Sequence, residues 1–139
     1  MIEVIFIMIG YYGDIIFETS DKRILNFTGL RVDTEGRFAT HEIIGKKPVT
    51  EYIGPNLQKI SFTVNLNGNH GVKPRAEMER WMEKVESGEA EVLVIGGKPL
   101  GSDKWIVKSI SETWDTIFNG GELFSGKVEV SLEEYITKA

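Results

Sequence analysis

The sequence predicts an α+β domain, an antiparallel β-sandwich or barrel with one amphipathic helix packed on it. Three observations carry that expectation. Seven or eight short stretches rich in β-branched and aromatic residues are separated by turn-forming clusters. A single stretch has helical periodicity, and fifteen glycines suit many tight turns. A chain of 139 residues has room for one domain, 1–139, around one core. Its hydrophobic and charged shares, 41% and 27%, lie near globular usage and argue against wholesale disorder.

The opening run of Ile2, Val4, Ile5, Phe6, Ile7, Met8 and Ile9 is interrupted by Glu3, lacks a basic leader, and falls short of the roughly 20 residues that span a bilayer. Neither a signal peptide nor an anchor is expected from it. Residues 12–19 read as a strand that ends in the turn-forming Thr19-Ser20-Asp21-Lys22, and the apolar run 24–27 after it completes a hairpin. The segment 29–36 is polar. Residues 37–44 alternate loosely until Gly45-Lys46-Lys47-Pro48 interrupts them, and a second short strand, 49–53, stops at Gly54-Pro55.

The cleanest strand is 59–66, with Ile60, Phe62, Val64 and Leu66 on one face and Ser61, Thr63 and Asn65 on the other. After the loop Asn67-Gly68-Asn69-His70-Gly71, Pro74 stands at the first turn of a helix. Met78, Trp81, Met82 and Val85 form its apolar stripe, Glu77 and Glu79 favour its positive end, and Gly88 marks its stop. Residues 91–95 form a short strand closed by Gly96-Gly97-Lys98-Pro99. Two longer strands, 105–117 and 123–132, are joined through Asn119-Gly120-Gly121. The apolar phase shifts between Trp105 and Val107 on one hand and Ile106, Ile110 and Trp114 on the other, which a bulge or two-sided burial explains. The echo of Ile44-Gly45-Lys46-Lys47-Pro48 in Ile95-Gly96-Gly97-Lys98-Pro99 is read as coincidence, not duplication.

Chemistry finds little foothold. With no cysteine there is neither a disulfide framework nor a thiolate metal site. Gly96-Gly97-Lys98 lacks the spacing and the following Ser or Thr of a phosphate loop, so a structural turn is the better reading. His41 and His70 sit in no metal-ligand spacing, and His41 and Glu42, as strand neighbours, point to opposite faces. Asp14, Glu18, Asp21, Glu133 and Glu134 match no calcium-loop pattern and read as solvated carboxylates. No serine sits in a glycine-flanked elbow. No catalytic residue, metal ligand or cofactor is expected. A net charge of −5 disfavours sequence-independent nucleic-acid binding, although it suits both ordinary solubility and a tube wall that DNA passes without sticking. Trp81, Trp105 and Trp114 are read mainly as core residues, with an interface anchor among them as the alternative.

Order and spacing carry a longer signal than any one motif. The tyrosine-glycine-aspartate opening at Tyr12-Gly13-Asp14 is followed by the Thr19 turn, Ala39-Thr40-His41-Glu42, Ile44-Gly45-Lys46-Lys47-Pro48 and Gly54-Pro55. The Pro74 helix, Ile95-Gly96-Gly97-Lys98-Pro99-Leu100-Gly101 and Ser111-Glu112-Thr113-Trp114 continue the series. From Met8 to Tyr135 the chain resembles the gpU-type tail proteins of contractile-tailed bacteriophages and related phage-tail-like particles. The resemblance implies a tail-tube-like fold and a structural, non-enzymatic role in the virion tail, assembled in the bacterial host cytoplasm. It implies a homohexameric ring at the inner baseplate that joins the tail tube to the central hub. Its partners would be itself, the tail tube protein, the baseplate hub and the tape-measure protein, with DNA only as cargo in the lumen and no membrane. Because the family pattern begins at Met8, residues 1–7 read either as a real N-terminal extension or as the product of an upstream start codon, and their strand-like content would allow pairing with a neighbour. A tail-terminator ring at the head-proximal end is the alternative position. A non-viral small barrel, acting as a ligand-binding or adaptor module, is the alternative class. Segments 29–36 and 67–73 are the expected arms. His41, Lys46, Lys47, Asn67, Asn69, His70, Lys73, Lys98 and Trp114 are the expected subunit or inter-ring contacts.

Overall fold

Alternation decides which faces meet. Along Lys59–Asn67, Ile60, Phe62, Val64 and Leu66 are all buried while the residues between them face outward. A computed structural model describes residues 6–20, 24–101 and 103–137 of the chain. Its elements run β1 (Phe6–Tyr12), β2 (Ile15–Ser20), β3 (Ile24–Asp33), β4 (Gly36–Ile43), β5 (Lys46–Pro55), β6 (Lys59–Asn67), a 3-10 turn at Gly68–His70, α1 (Pro74–Ser87), β7 (Leu93–Ile95), β8 (Lys98–Pro99), β9 (Lys104–Ile117) and β10 (Leu123–Tyr135).

Eight strands form one antiparallel sheet in the order β8-β7-β1-β2-β3-β6-β10-β9, and β4 with β5 forms a separate two-stranded ribbon. The large sheet folds over at β3. Its first residues, Ile24 and Leu25, pair with Thr19 and Glu18 of β2, and from Asn26 onward it pairs with β6. The ends of the sheet meet again where Glu91 and Trp105 exchange backbone hydrogen bonds of 2.9 and 2.8 Å. The α+β sandwich or barrel expected from the sequence is the fold observed.

The helix follows its sequence signals closely. Pro74 occupies its first turn, Glu77 lies at its positive end, and Gly88, at φ 65°, donates its backbone N–H to the Lys84 carbonyl. Met78 and Trp81 are buried. The Trp81 ring stacks on Tyr12 and Phe17 at centroid distances of 5.8 and 6.2 Å and meets Phe62 edge-on at 5.9 Å. It therefore touches side chains from both halves of the folded sheet.

Several expectations need revision. The polar segment 29–36 is strand in its first part, because β3 continues through Asp33 with an irregularity between Thr28 and Arg31. The segment 49–53 is the middle of the longer β5, which tolerates Pro48 because it is an edge strand. The phase shift in β9 is a bulge: Val107 and Ser109 face the adjacent Leu132 and Ser131, so Lys108 is the extra residue. Trp81 and Trp105 are core residues, whereas Trp114 is 41% exposed. Asp21, Lys22 and residues 1–5 lie outside the described residues. Phe6 and Ile7 pair with Ser20 and Thr19 of the same chain, which leaves less of the expected extension for a neighbour.

A charged clamp ties α1 to the sheet. Lys84 Nζ lies 2.8 Å from Asp14 Oδ1 and 2.9 Å from Glu91 Oε2, and Arg80 donates to the Asp14 carbonyl at 2.7 Å. Burial would lower the Lys84 ammonium, but the hydrogen bonds and charges of Asp14 and Glu91 outweigh it and hold the group above its ordinary value. The Lys84 hydrogen bond holds Asp14 below the ordinary carboxylate value of 3.8. Burial, helped by the Glu91 charge, pushes the Tyr12 hydroxyl up. That hydroxyl donates to the Trp105 carbonyl at 2.8 Å.

Two outcomes are expected from this packing. Trp81→Ala removes the ring shared by both halves and should cost about 3–5 kcal/mol, read from the urea midpoint. Because Asp14 is lowered in the fold, its contribution is complete above its unfolded value and disappears as pH falls through the folded one. The Asp14 side chain is 71% exposed, so Asp14→Asn should cost under about 1 kcal/mol at neutral pH. The gap between variant and parent should close below pH 3.8, as paired acid titrations of unfolding would record.

Candidate assembly surfaces

The β4–β5 ribbon is the element least supported by the body of the domain. Its register pairs Phe38 with Tyr52, Ala39 with Glu51, Thr40 with Thr50 and His41 with Val49, and a two-residue turn at Ile44-Gly45 closes it. Of its paired residues, only Ala39 and Gly54 are not exposed. Phe38 and Tyr52 lean on each other at 5.3 Å, each about 60% exposed, and Ile44 at the tip is wholly exposed. His41 Nε2 lies 2.7 Å from Glu51 Oε2 on one face of the ribbon, in a hydrogen-bonded contact open to solvent. At the root, Asn56 N–H donates to the Glu35 carbonyl at 3.0 Å. A lone hairpin is marginal in water, and contiguous exposed apolar residues mark a contact surface. This ribbon is a candidate arm, alongside the segments 29–36 and 67–73 expected from the sequence.

The segment 67–73 is instead a packed corner. Asn67 Oδ1 accepts the Asn69 N–H at 2.9 Å, Gly71 turns the chain at φ 74°, and Val72 is buried. Gly68 lies against the Phe124 ring, where a Cβ would collide with it, and Phe124 stacks on Phe118 at 4.7 Å. Between this corner and the β9–β10 turn opens a cleft of about 710 Å³, with Val72, Leu123 and Phe118 and the exposed Lys73, Arg75 and Glu122 among its lining residues. Nearby, the Arg75 guanidinium lies 5.7 Å from the centre of the Trp114 ring, whose Nε1 donates to Glu112 at 3.2 Å.

The expected contact residues thus fall in three places. His41, Lys46 and Lys47 ride on the arm, while Asn67, Asn69, His70, Lys73 and Trp114 gather around the corner. Lys98 stands apart in β8. There Gly96 and Gly97, both at positive φ, form the two-residue turn that joins β7 to β8. The two histidines are not brought together. Among the described residues no group of three His, Cys, Asp or Glu is placed to hold a metal, and no helix is long and apolar enough to cross a membrane. Glu134 accepts the Gln58 N–H at 2.7 Å, a role within the fold.

A third surface is the outer face of β3, β6, β10 and β9, which carries hydroxyls and amides in register. One row is Asn26, Asn65, Lys127 and Thr113, the next Thr28, Thr63, Glu129 and Ser111, and the third Arg31, Ser61, Ser131 and Ser109. Asp33, Lys59 and Glu133 follow. Arg31, Lys59 and Lys127 balance Asp33, Glu129 and Glu133, so this face does not share the acidic surplus of the whole chain. Both sides of this four-stranded unit are open among the described residues. Beyond Trp105, β9 pairs with β10 alone, and beyond Leu25, β3 pairs with β6 alone.

The signal that would have found the arm was present in the sequence. Residues 37–44 and 49–53 alternate around Ile44-Gly45, but the glycine and proline there read as an interruption and not as a hairpin turn. No match to an individual curated protein was found. The family model described as Phage P2 GpU matches residues 13–137, a span that takes in the arm, the corner and the four-stranded polar face. The chain belongs to the Phage P2 GpU family and is a structural protein of a phage tail.

Proposed function

We propose that this protein forms a hexameric ring of the tail-tube type at the inner baseplate of a contractile tail, where it joins the tail tube to the central hub and supports tail assembly. The exposed β4–β5 arm carries this reading, because its aromatic and aliphatic side chains have no cover within the described chain. A subunit in a ring covers such a surface with its neighbour. The open edges of β3 and β9 support the same arrangement: head-to-tail contact between unlike edges can close into a ring and leave fewer unpaired strands. The hydroxyl and amide face would then line the lumen, facing the tape-measure protein and later DNA. Balanced charge on that wall offers phosphates no clustered cations to hold them. The inner-baseplate position rests on the likeness to gpU-type proteins. The arm, the corner and Lys98 are the proposed contacts with neighbouring subunits and with the tube and hub proteins.

Negative-stain microscopy with native mass measurement, across a concentration series and with tube and hub proteins added, tests the ring. Six-fold rings are expected, alone or on co-assembly, and a persistent monomer in both settings would refute the reading. A label on this chain within assembled tails should appear at the baseplate end; a label at the head-proximal end would make it a terminator ring instead. Replacing residues 37–54 with a short glycine turn between the close strand ends at Glu35 and Asn56 should leave the unfolding midpoint of the body nearly unchanged and abolish ring formation. Rings of normal size from that variant would show that the arm is dispensable.

A further inference from the structure

The arm and the corner cleft match each other in chemistry, although neither covers the other within one chain. At the arm tip the Ile44 side chain is wholly exposed, and Glu42, Lys46 and Lys47 flank it. The cleft is lined by the apolar Val72, Leu123 and Phe118 and by the exposed Lys73, Arg75 and Glu122, of which Arg75 also reaches Glu79 Oε1 at 3.6 Å. An exposed aliphatic residue between an acid and two lysines thus matches an apolar hollow lined also by two cations and an acid. The signs are complementary. The cleft volume, about 710 Å³, is within the range of pockets that enclose small ligands, so it has room for a tight turn and its side chains.

Topology separates the two surfaces. The arm is rooted next to the Lys59 end of β6, and the cleft lies next to the Asn67 end. Nine residues of strand set these ends roughly 30 Å apart. Each copy therefore has the root of its ribbon and its cleft at opposite ends of its polar sheet, with the tip a hairpin's length beyond the root along the ribbon. We propose that the arm tip of one copy seats in the corner cleft of the next, with Ile44 in the apolar hollow, Lys46 or Lys47 on Glu122, and Glu42 on Lys73 or Arg75. The contact is heterologous, since tip and cleft are different surfaces, and it repeats from copy to copy until it closes. This inference rests on the ring reading and assigns the contact that links its subunits.

The absence of native cysteine makes the test direct. Single-cysteine variants Ile44→Cys and Glu122→Cys, both at exposed positions, are prepared separately, mixed, and oxidised mildly under conditions in which particles are imaged. A mixed disulfide should form in preference to either homodimer, and any such link is between copies by construction. Glu122→Lys should cause loss of assembly, and adding Lys46→Glu and Lys47→Glu should restore it. Rings that form without the mixed link overturn this inference and leave the ring reading standing. Absence of both rings and link, with tube and hub proteins present, overturns both. A mixed link without six-fold particles supports the tip seat and counts against the ring.

Discussion

The packing of Trp81 is the constraint on which the rest of the molecule depends. Among the described residues the two halves of the large sheet share few backbone bonds: two residue pairs where β2 meets β3, and the Glu91–Trp105 bridge where the ends meet. Side chains must hold them together. Trp81 does so from the helix, in contact with Tyr12 and Phe17 from one half and Phe62 from the other, while Phe17 also meets Phe27 edge-on at 5.0 Å. Trp105 secures the closing bridge, its indole donating to the Leu100 carbonyl at 2.8 Å and its own carbonyl accepting from Tyr12. With the core filled from one side by α1, the four strands β3, β6, β10 and β9 keep their outer face and both edges free.

That division separates two kinds of apolar residue. Inside, Ile60, Val64 and Val130 are buried by their own chain and report on its stability. On the arm, Phe38, Val49, Tyr52 and Ile53 are more than half exposed and contribute little to the fold of an isolated copy. Their retention is a standing hazard for a monomer, because an exposed strand pair with apolar side chains invites aggregation. An assembly removes the hazard by covering them. The same logic explains why the ribbon can sit apart from the main sheet: its ladder needs only β4 and β5, and its side chains need only a neighbour.

How much of this was legible in the sequence follows from what local pattern can encode. The helix was readable in its bounds, since Pro74, the Met78–Trp81–Val85 spacing and Gly88 are cues that act within a few residues, but Met82, expected on the same apolar stripe, is 42% exposed. So was β6, whose alternation faces a core. The β9 phase shift was visible, but it fitted a bulge or two-sided burial equally, and only the pairing with β10 makes Lys108 the extra residue. The arm was not separable from a core strand, because Phe38-Ala39-Thr40 and Val49-Thr50-Glu51-Tyr52 alternate in the same way whether the apolar side meets a core or a partner. Likewise 67–73 looked like a free loop, although Val72 is buried within it and Gly68 supports a ring 56 positions away. Long-range partners, not composition, decide both cases.

Composition is blind to the placement of charge for the same reason. A net charge of −5 suits ordinary solubility or a tube wall, and it says nothing of the polar face of β3, β6, β10 and β9, where Arg31, Lys59 and Lys127 stand with Asp33, Glu129 and Glu133. Part of the acid lies elsewhere: Glu79, Glu83, Glu86 and Glu89 are exposed on or just after α1, which packs against the opposite, inward face of these strands. Charges act on a passing polyanion mainly within a Debye length, about 8 Å at physiological salt, so the local wall matters more than the total. A surface of hydroxyls, amides and paired charges neither gathers phosphates nor strongly repels them. A basic wall would hold a polyanion by its phosphates. If this face lines a lumen, as proposed, its balanced charge, with acid kept on the far side of the core, is a distribution that would let a polyanion slide.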